Sequence, residues 1–483
     1  AWHPDMEVTT AADLQAALNN GVTNIALADD IDLEEPIVIP APAASTYSLR
    51  RNANAVVINL NGKKITSNLT SGRAILVQGA AEIKNGTITT TNGVGAIFAT
   101  GKSASLILTD MTVAVTGTGT NKEWILTAVG AANGAKVVIN NGTYSAEKGY
   151  GLVVSTTGAD VTINDGIFTT EGTTESAAVR FDSGWDNSKV YTKAVINGGV
   201  FNAPEGGFAF TANNAYGKDI TINGGTFNGK VASHYQDNGV VINGGNFNDK
   251  LFEGGNHTDK YQIKGGTFSF DPTKRVAEGF KVVDANGTYY VVADDVTVAY
   301  DAAGLNNAIA AGKTEVVLAE GDYALRFTNH TNFNLNDMTI KGLGDVNLAI
   351  SSSEAWYGRV QGSNVTFENI HFTSSVGATG KATYNNCTFD DWTICASSNK
   401  EETTFNNCTI NGCLNTSTDF SSGDVFVNNC KIAKAEYSGS MTMNFVDCQI
   451  DEIIIWNANT NLTNCQVTEL DDSNVTNATV TIK

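Results

Sequence analysis

The chain is short of basic residues, histidine, proline and long apolar runs, and each shortage removes a class of function. Lys plus Arg number 30 against 50 for Asp plus Glu, a formal net charge of -20. Such a surface repels a phosphate backbone, so no nucleic-acid partner is expected, while basic partners and divalent cations stay open. The five histidines (His3, His234, His257, His330 and His371) are scattered, and no Cys-x-x-Cys or Cys/His cluster has zinc spacing. No uncharged apolar run approaches the roughly 18 residues of a membrane helix, so no membrane-spanning segment is expected. Cysteine is absent from the first 386 residues and then occurs seven times, an odd count that leaves at least one thiol unpaired within the chain. The chain opens at Ala1 with its first methionine at Met6, which fits a removed leader as well as an edited start, so export is an inference.

What is abundant is glycine, at 48 residues, together with asparagine and threonine, a mixture suited to many tight turns between short strands. The turns recur. In the first half they read Ile83-Lys84-Asn85-Gly86-Thr87-Ile88, Ile139-Asn140-Asn141-Gly142-Thr143-Tyr144, Ile163-Asn164-Asp165-Gly166-Ile167-Phe168 and Ile196-Asn197-Gly198-Gly199-Val200-Phe201. Three more copies begin at Ile222, Ile242 and Ile263, with final steps of 20 and 21 residues, one solenoid coil per copy. Each copy reads as an apolar strand end, a turn in which Gly or Asn accepts positive φ, and a second strand with an outward Thr before an inward aromatic or aliphatic residue. Parallel in-register stacking lets successive Asn side chains bond to one another as a ladder.

The second half carries a variant with Cys in the fourth position: Tyr384-Asn385-Asn386-Cys387, Phe405-Asn406-Asn407-Cys408, Val427-Asn428-Asn429-Cys430, Phe445-Val446-Asp447-Cys448 and Leu462-Thr463-Asn464-Cys465. Met338 and Ile370 are assigned to the same slot in earlier coils, which makes the slot apolar and the thiols a buried stack. Cys395 and Cys413 fall outside it, and a bridge between them is a minor alternative. Domain organisation follows from a restart. Thr10, Leu14, Ala17, Leu18, Gly21, Ile25 and Leu27 reappear at a constant offset of 291 as Asp301, Leu305, Ala308, Ile309, Gly312, Val316 and Leu318. Each set is an N-capped amphipathic helix closed by Gly before a strand, the kind of element that covers the first coil of a solenoid. The expected architecture is therefore all-β: two tandem right-handed parallel β-helices, residues 1–294 and 295–483, each with a short N-terminal capping helix. An Asn286-Gly287 hairpin would close the first.

Capping helix, coils of about 20 residues and stacked Asn-Gly turns together resemble the pectate-lyase-like right-handed parallel β-helix superfamily, and the Ile-Asn-Gly-Gly-Thr-Phe form is similar to non-catalytic β-helix modules of bacterial cell-surface proteins. The superfamily holds polysaccharide lyases, glycoside hydrolases, viral tail spikes and adhesins, so the resemblance leaves function open. Its lyases use acidic calcium ligands with an Arg or Lys base. Its hydrolases use close Asp residues with a His and a Lys. The Asn-Thr-Asp, Gly-His-Gly and Arg-Ile-Lys runs of those enzymes are absent here. The pairs Asp29-Asp30, Asp294-Asp295, Asp390-Asp391 and Asp471-Asp472 read as solvated turn acids, because adjacent strand residues point to opposite faces.

Stacking the second set of coils yields one chemically mixed patch. The outward column after the Cys slot is expected to run Thr339, His371, Thr388, Thr409, Lys431, Gln449 and Gln466, with Asp390, Asp391, Asp451, Glu452 and Glu469 just beyond. Trp356, Tyr357, Arg359 and Trp392 are placed on adjacent coils. As a candidate site, Trp356, Tyr357 and Trp392 are platforms for a carbohydrate and Arg359, His371, Asp390, Asp391 and Glu452 its polar contacts or, for the acids, calcium ligands. The plainer account is that the Trp residues pack under loops and the polar column is merely solvated. The favoured function is a non-catalytic extracellular surface protein, adhesive or structural, that meets glycans, other surface proteins or copies of itself and needs no cofactor, with calcium as the one candidate. A secreted polysaccharide lyase or hydrolase and a viral tail-spike or head-fibre appendage are the alternatives.

Overall fold

The computed structural model describes residues 4–483 except 43–54, 93–94, 118–126, 148–151, 173–175, 183–191, 214–218, 235–239, 251–260, 328–334, 353–358, 361, 379, 395–400 and 417–422. The chain divides into two compact units, Ala1–Val282 with Gly287–Ala293, and Val283–Asn286 with Asp294–Lys483. Both are stacks of parallel strands, the β-helix architecture that the repeats imply.

A coil of the first unit has three faces. The first face holds strands such as Lys136–Ile139, Asp160–Ile163, Lys193–Ile196 and Asp219–Ile222, the second Gly142–Ala146, Ile167–Thr170, Val200–Asn202 and Thr226–Asn228, and the third Leu152–Thr157, Ala177–Asp182 and Phe208–Asn213. Two long strands, Ala80–Thr90 and Ser105–Val115, run through the corner between the first and second faces and join them into one 21-stranded sheet. The third face is a separate eight-stranded sheet.

Register explains the repeat. Ile139, Ile163, Ile196, Ile222, Ile242 and Ile263 sit directly above one another, all fully buried. Around the turn, Tyr144, Phe168, Phe201, Phe227, Phe247 and Phe268 form a continuous stack with centroids 4.8–5.1 Å apart. Burying each such ring contributes about 1.5–3 kcal/mol. At the corner the Nδ2 of Asn164, Asn197, Asn223 and Asn243 each donates to the Asn Oδ1 of the coil before, at 2.9–3.0 Å, and Asn140 ends the ladder on the Thr109 hydroxyl. A second ladder runs from Asn248 through Asn228 and Asn202 to Thr169.

Both ends of the first unit are covered. Helix α1 (Ala11–Asn19) starts at Thr10, whose hydroxyl accepts from the Asp13 amide, and buries Leu14, Ala17 and Leu18. At the far end the strand Thr288–Ala293 pairs antiparallel with Thr267–Phe268, and Phe280, Val282 and Tyr289 pack on the core. In the second unit helix α2 (Ala302–Ala310) repeats the start, with Asp301 capping the Gly304 amide and Leu305, Ala308 and Ile309 buried. A ten-stranded sheet from Thr297–Ala299 to Val480–Ile482 forms its first face, and the C-terminal strand completes the last rung against Asn459–Thr463.

The two turn forms differ in where the chain turns left-handed. In the later coils of the first unit positive φ falls on the fourth residue, Gly142, Gly166, Gly199, Gly225, Gly245 and Gly266, at 104° to 132°. In the second unit it falls one residue earlier, on Asn369, Asn386, Asn407, Asn429, Asp447 and Asn464, at 52° to 55°. That shift returns the fourth residue to ordinary backbone and lets its side chain point inward, which is why Ile370 and the cysteines replace glycine. Ser105–Val115 already uses the second form, with Asp110 at φ 51° and Met111 buried.

One expected placement is corrected. Thr339 lies on the first face, paired with Glu315 and Thr366, so Met338 shares a level with Val365 and not with the cysteines. The coil contains an extra loop of chain after the first face, and the residue in the Cys slot is Val346, followed by Asn347 opposite His371.

Gly199→Ala tests the turn geometry, since its Cβ would stand 3.0 Å from the Gly166 carbonyl oxygen at φ 104°. A loss of about 1–3 kcal/mol in a denaturant titration is expected, with Thr226→Ala near neutral as the control.

Candidate functional site

The outward column of the second unit runs Asp322, Asn347, His371, Thr388, Thr409, Lys431, Gln449 and Gln466 in register. Its N-terminal part is wired by hydrogen bonds. Asn347 Nδ2 donates to Asp322 Oδ1 at 2.9 Å, His371 Nδ1 meets Asn347 Oδ1 at 2.9 Å, and His371 Nε2 meets Asp390 Oδ2 at 2.7 Å. Asn411 Nδ2 closes the chain on Asp390 Oδ1 at 3.3 Å. Because Asn347 commits its amide nitrogen to Asp322, both ring nitrogens of His371 face oxygen atoms of its neighbours. The pair is solvated, with side chains 38% and 44% exposed, so its Coulomb energy is small and its main effect is to hold orientation.

Beside it lies an open depression of about 620 Å³ lined by Asp345, Asn347, Asn369, His371, Asn386 and Thr388 among others. The chain after Asp390 turns outward: Asp391 Oδ1 accepts the Trp392 amide at 2.8 Å, and Trp392 is 45% exposed. His371 and Asp390 are thus in contact, with Asp391 and Trp392 next along the chain.

Glu452 is not with them. It follows Lys434 in register and pairs with its ammonium at 3.5 Å, and Glu469 comes next. Thr393 leads the same face through Leu414, Ala435 and Ile453, which puts Glu452 three coils, about 14 Å, from Trp392. Trp356 and Tyr357 lie outside the described residues, as does Cys395. Arg359 is placed only as backbone paired with Gly377. Asp345, Asn347 and Asp322 escaped the sequence reading because the expected column began at Thr339. The Asp-Val-Asn run after Leu343-Gly344, a Gly-Asp turn followed by an alternating strand, was the signal for them.

The other acids behave as turn residues. Asp30 Oδ1 accepts the Lys64 amide, and Asp471 Oδ1 accepts both the amide and the hydroxyl of Ser473, which holds its carboxyl below the usual range. Glu401 is held low in the same way by the Ser363 hydroxyl and the Lys381 amide. Among the described residues one carboxyl is fully buried: Asp182, whose Oδ2 accepts from the Arg180 Nε at 2.7 Å while burial pushes its carboxyl up. Among the described residues no group of three or more His, Cys, Asp or Glu is arranged to hold a metal ion. No described helix is long and apolar enough to cross a membrane.

With this geometry in hand, comparison with known proteins is informative for the first unit. Residues 5–145 match the family model described as "Putative pectate lyase-like adhesive domain". Over these residues the chain is similar to that pectate-lyase-like family. The match covers the first capping helix and the coils up to Tyr144, and the candidate site lies outside it. No curated protein matches the chain. Among solved structures it is similar to the PL6 family alginate lyase AlyGC, at 10% identity over 99% of both chains with a TM-score of 0.22, a score that carries no argument for shared chemistry.

The thiols are the remaining nucleophiles. Cys387, Cys408, Cys430 and Cys448 are buried in the column and Cys465 is half-buried at its end. Contact with the neighbouring thiol and burial push Cys408 and Cys430 up to about 12 from 9.0. Two outcomes are expected. At pH 8 an aromatic disulfide reagent should label Cys465 first and leave Cys408 and Cys430 unlabelled until the chain is unfolded. Because these pKa values are raised on folding, their stabilising contribution is complete below pH 9 and is lost as pH rises toward 12, so urea midpoints measured across that window should fall.

Proposed function

We propose that the protein is a non-catalytic extracellular surface adhesin and that its second unit contacts a carbohydrate beside His371, Asp390 and Trp392. The observation that carries this reading is an exposed indole two residues beyond Asp390, whose carboxylate is fixed by hydrogen bonds to His371 and Asn411. Sugars stack their apolar faces on such rings and place hydroxyls on oriented Asn, Asp and His groups. The family model, which describes an adhesive domain, supports the surface role. The same wiring argues against His371 and Asp390 as an acid-base pair: His371 is held between Asn347 and Asp390, and Asp390 is also engaged by Asn411. A general acid or base needs a proton site free to face substrate.

The test is a glycan array probed with the wild-type chain and with Trp392→Ala. The variant should lose at least about tenfold in affinity for whichever glycan the wild type retains, consistent with about 1–3 kcal/mol for a stacking contact, while viscosity of acidic polysaccharide solutions stays constant with either protein. Unchanged binding by the variant would remove the site, and a falling viscosity would replace adhesion with depolymerisation.

A further inference from the structure

The outward surface of the first face in the first unit carries a charge pattern that no ion pair among the described residues uses. Its middle column is β-branched over six coils: Ile107, Val138, Thr162, Val195, Thr221 and Val241, stacked in register and half-buried. On one side runs the Asn ladder. On the other, four exposed residues alternate in charge from coil to coil, Lys136, Asp160, Lys193 and Asp219. Among the described residues none of these four forms an ion pair with another side chain. The strip is neutral in a chain of net charge -20, so the repulsion that keeps like-charged copies apart is weakest there.

We propose that this strip is where two copies of the chain meet, face to face and with coil order reversed. A two-fold axis parallel to the strands, passing between the coils of Asp160 and Lys193, sets each column against itself in the opposite order. Lys136 then faces Asp219 of the second copy and Asp160 faces Lys193. Ile107 faces Val241, Val138 faces Thr221 and Thr162 faces Val195. Both Asn ladders also align, with Asn140 opposite Asn223 and Asn164 opposite Asn197. An axis along the stack would instead bring the charged column onto the Asn ladder, leaving four charges without partners. The isologous arrangement pairs all of them. Sheets pack face to face about 10 Å apart, a gap that Val and Ile side chains from both copies fill and that Lys and Asp can bridge.

The area sets the strength. Six coils at about 4.8 Å and three outward residues per strand make a strip well below the roughly 800 Å² per partner of a stable complex. The association is therefore of the weak class, with charge setting its orientation and salt sensitivity. It is independent of the glycan reading, because it uses a different unit and different residues.

Sedimentation velocity of the full chain tests it, over a concentration series up to hundreds of micromolar at low ionic strength, with circular dichroism melts to show that each variant is folded. The wild type should shift toward a dimer with concentration and weaken as salt is added. Lys136→Asp with Lys193→Asp, which leaves four acids in the column, should weaken the dimer at least tenfold. Adding Asp160→Lys and Asp219→Lys restores alternation with the signs exchanged and should restore the dimer. A wild type that stays monomeric throughout overturns the proposal. So does a dimer indifferent to the double reversal, or a fourfold reversal that remains as weak as the double one.

Discussion

Every layer of this protein depends on one constraint: a residue in one coil lies directly over its counterpart in the next, at the spacing of hydrogen-bonded parallel strands. A side chain therefore meets its own kind, and the sequence has to suit self-contact. Aromatic rings stack flat, Ile rests on Ile, and Asn answers itself because its amide carries a donor and an acceptor. Carboxylates cannot be stacked this way, which accounts for the low charge of the ladder columns despite the acidity of the chain. In the column of Lys136, Asp160, Lys193 and Asp219 the sign changes with each coil.

The same constraint explains the two turn forms. A coil corner needs one residue with positive φ, and the choice of position decides what the next residue can be. With the left-handed residue fourth, only glycine serves and the corner contributes nothing to the interior. With it third, Asn or Asp takes the strain and the fourth side chain joins the core. The second unit thus gains an inward column of Ile and Cys where the first has bare backbone, and its thiols are buried because the corner geometry sends them inward.

Much of this was legible in the residues alone. The copies of Ile-Asn-Gly-Gly-Thr-Phe mark the parallel coils, since a repeat of about 20 residues with one fixed turn has few other ways to bury its apolar positions. Thr10 and Asp301 mark both capping helices, because an N-cap followed by an i, i+4 apolar pattern is a local signal. The candidate site was legible only in part. His371, Asp390, Asp391 and Trp392 lie within one coil of each other, so a correct register for two neighbouring turns sufficed. Glu452 was grouped with them although it lies three coils along the stack, in register with Lys434. Thr339 was misassigned because an Asn-Asp turn precedes it, and the local motif resembles a Cys-slot turn although it opens the first face. Motif alone does not reveal which corner of a coil it occupies.

The direction of the Asn ladders has a consequence for how such a chain is built. In each ladder described above, the amide of a later coil donates to the oxygen of an earlier one, so the row has a fixed sense. A coil already in place always offers a bare acceptor to the segment that follows. A coil added at the C-terminal end of such a row therefore meets free Asn oxygens, and one added at its N-terminal end meets free amides.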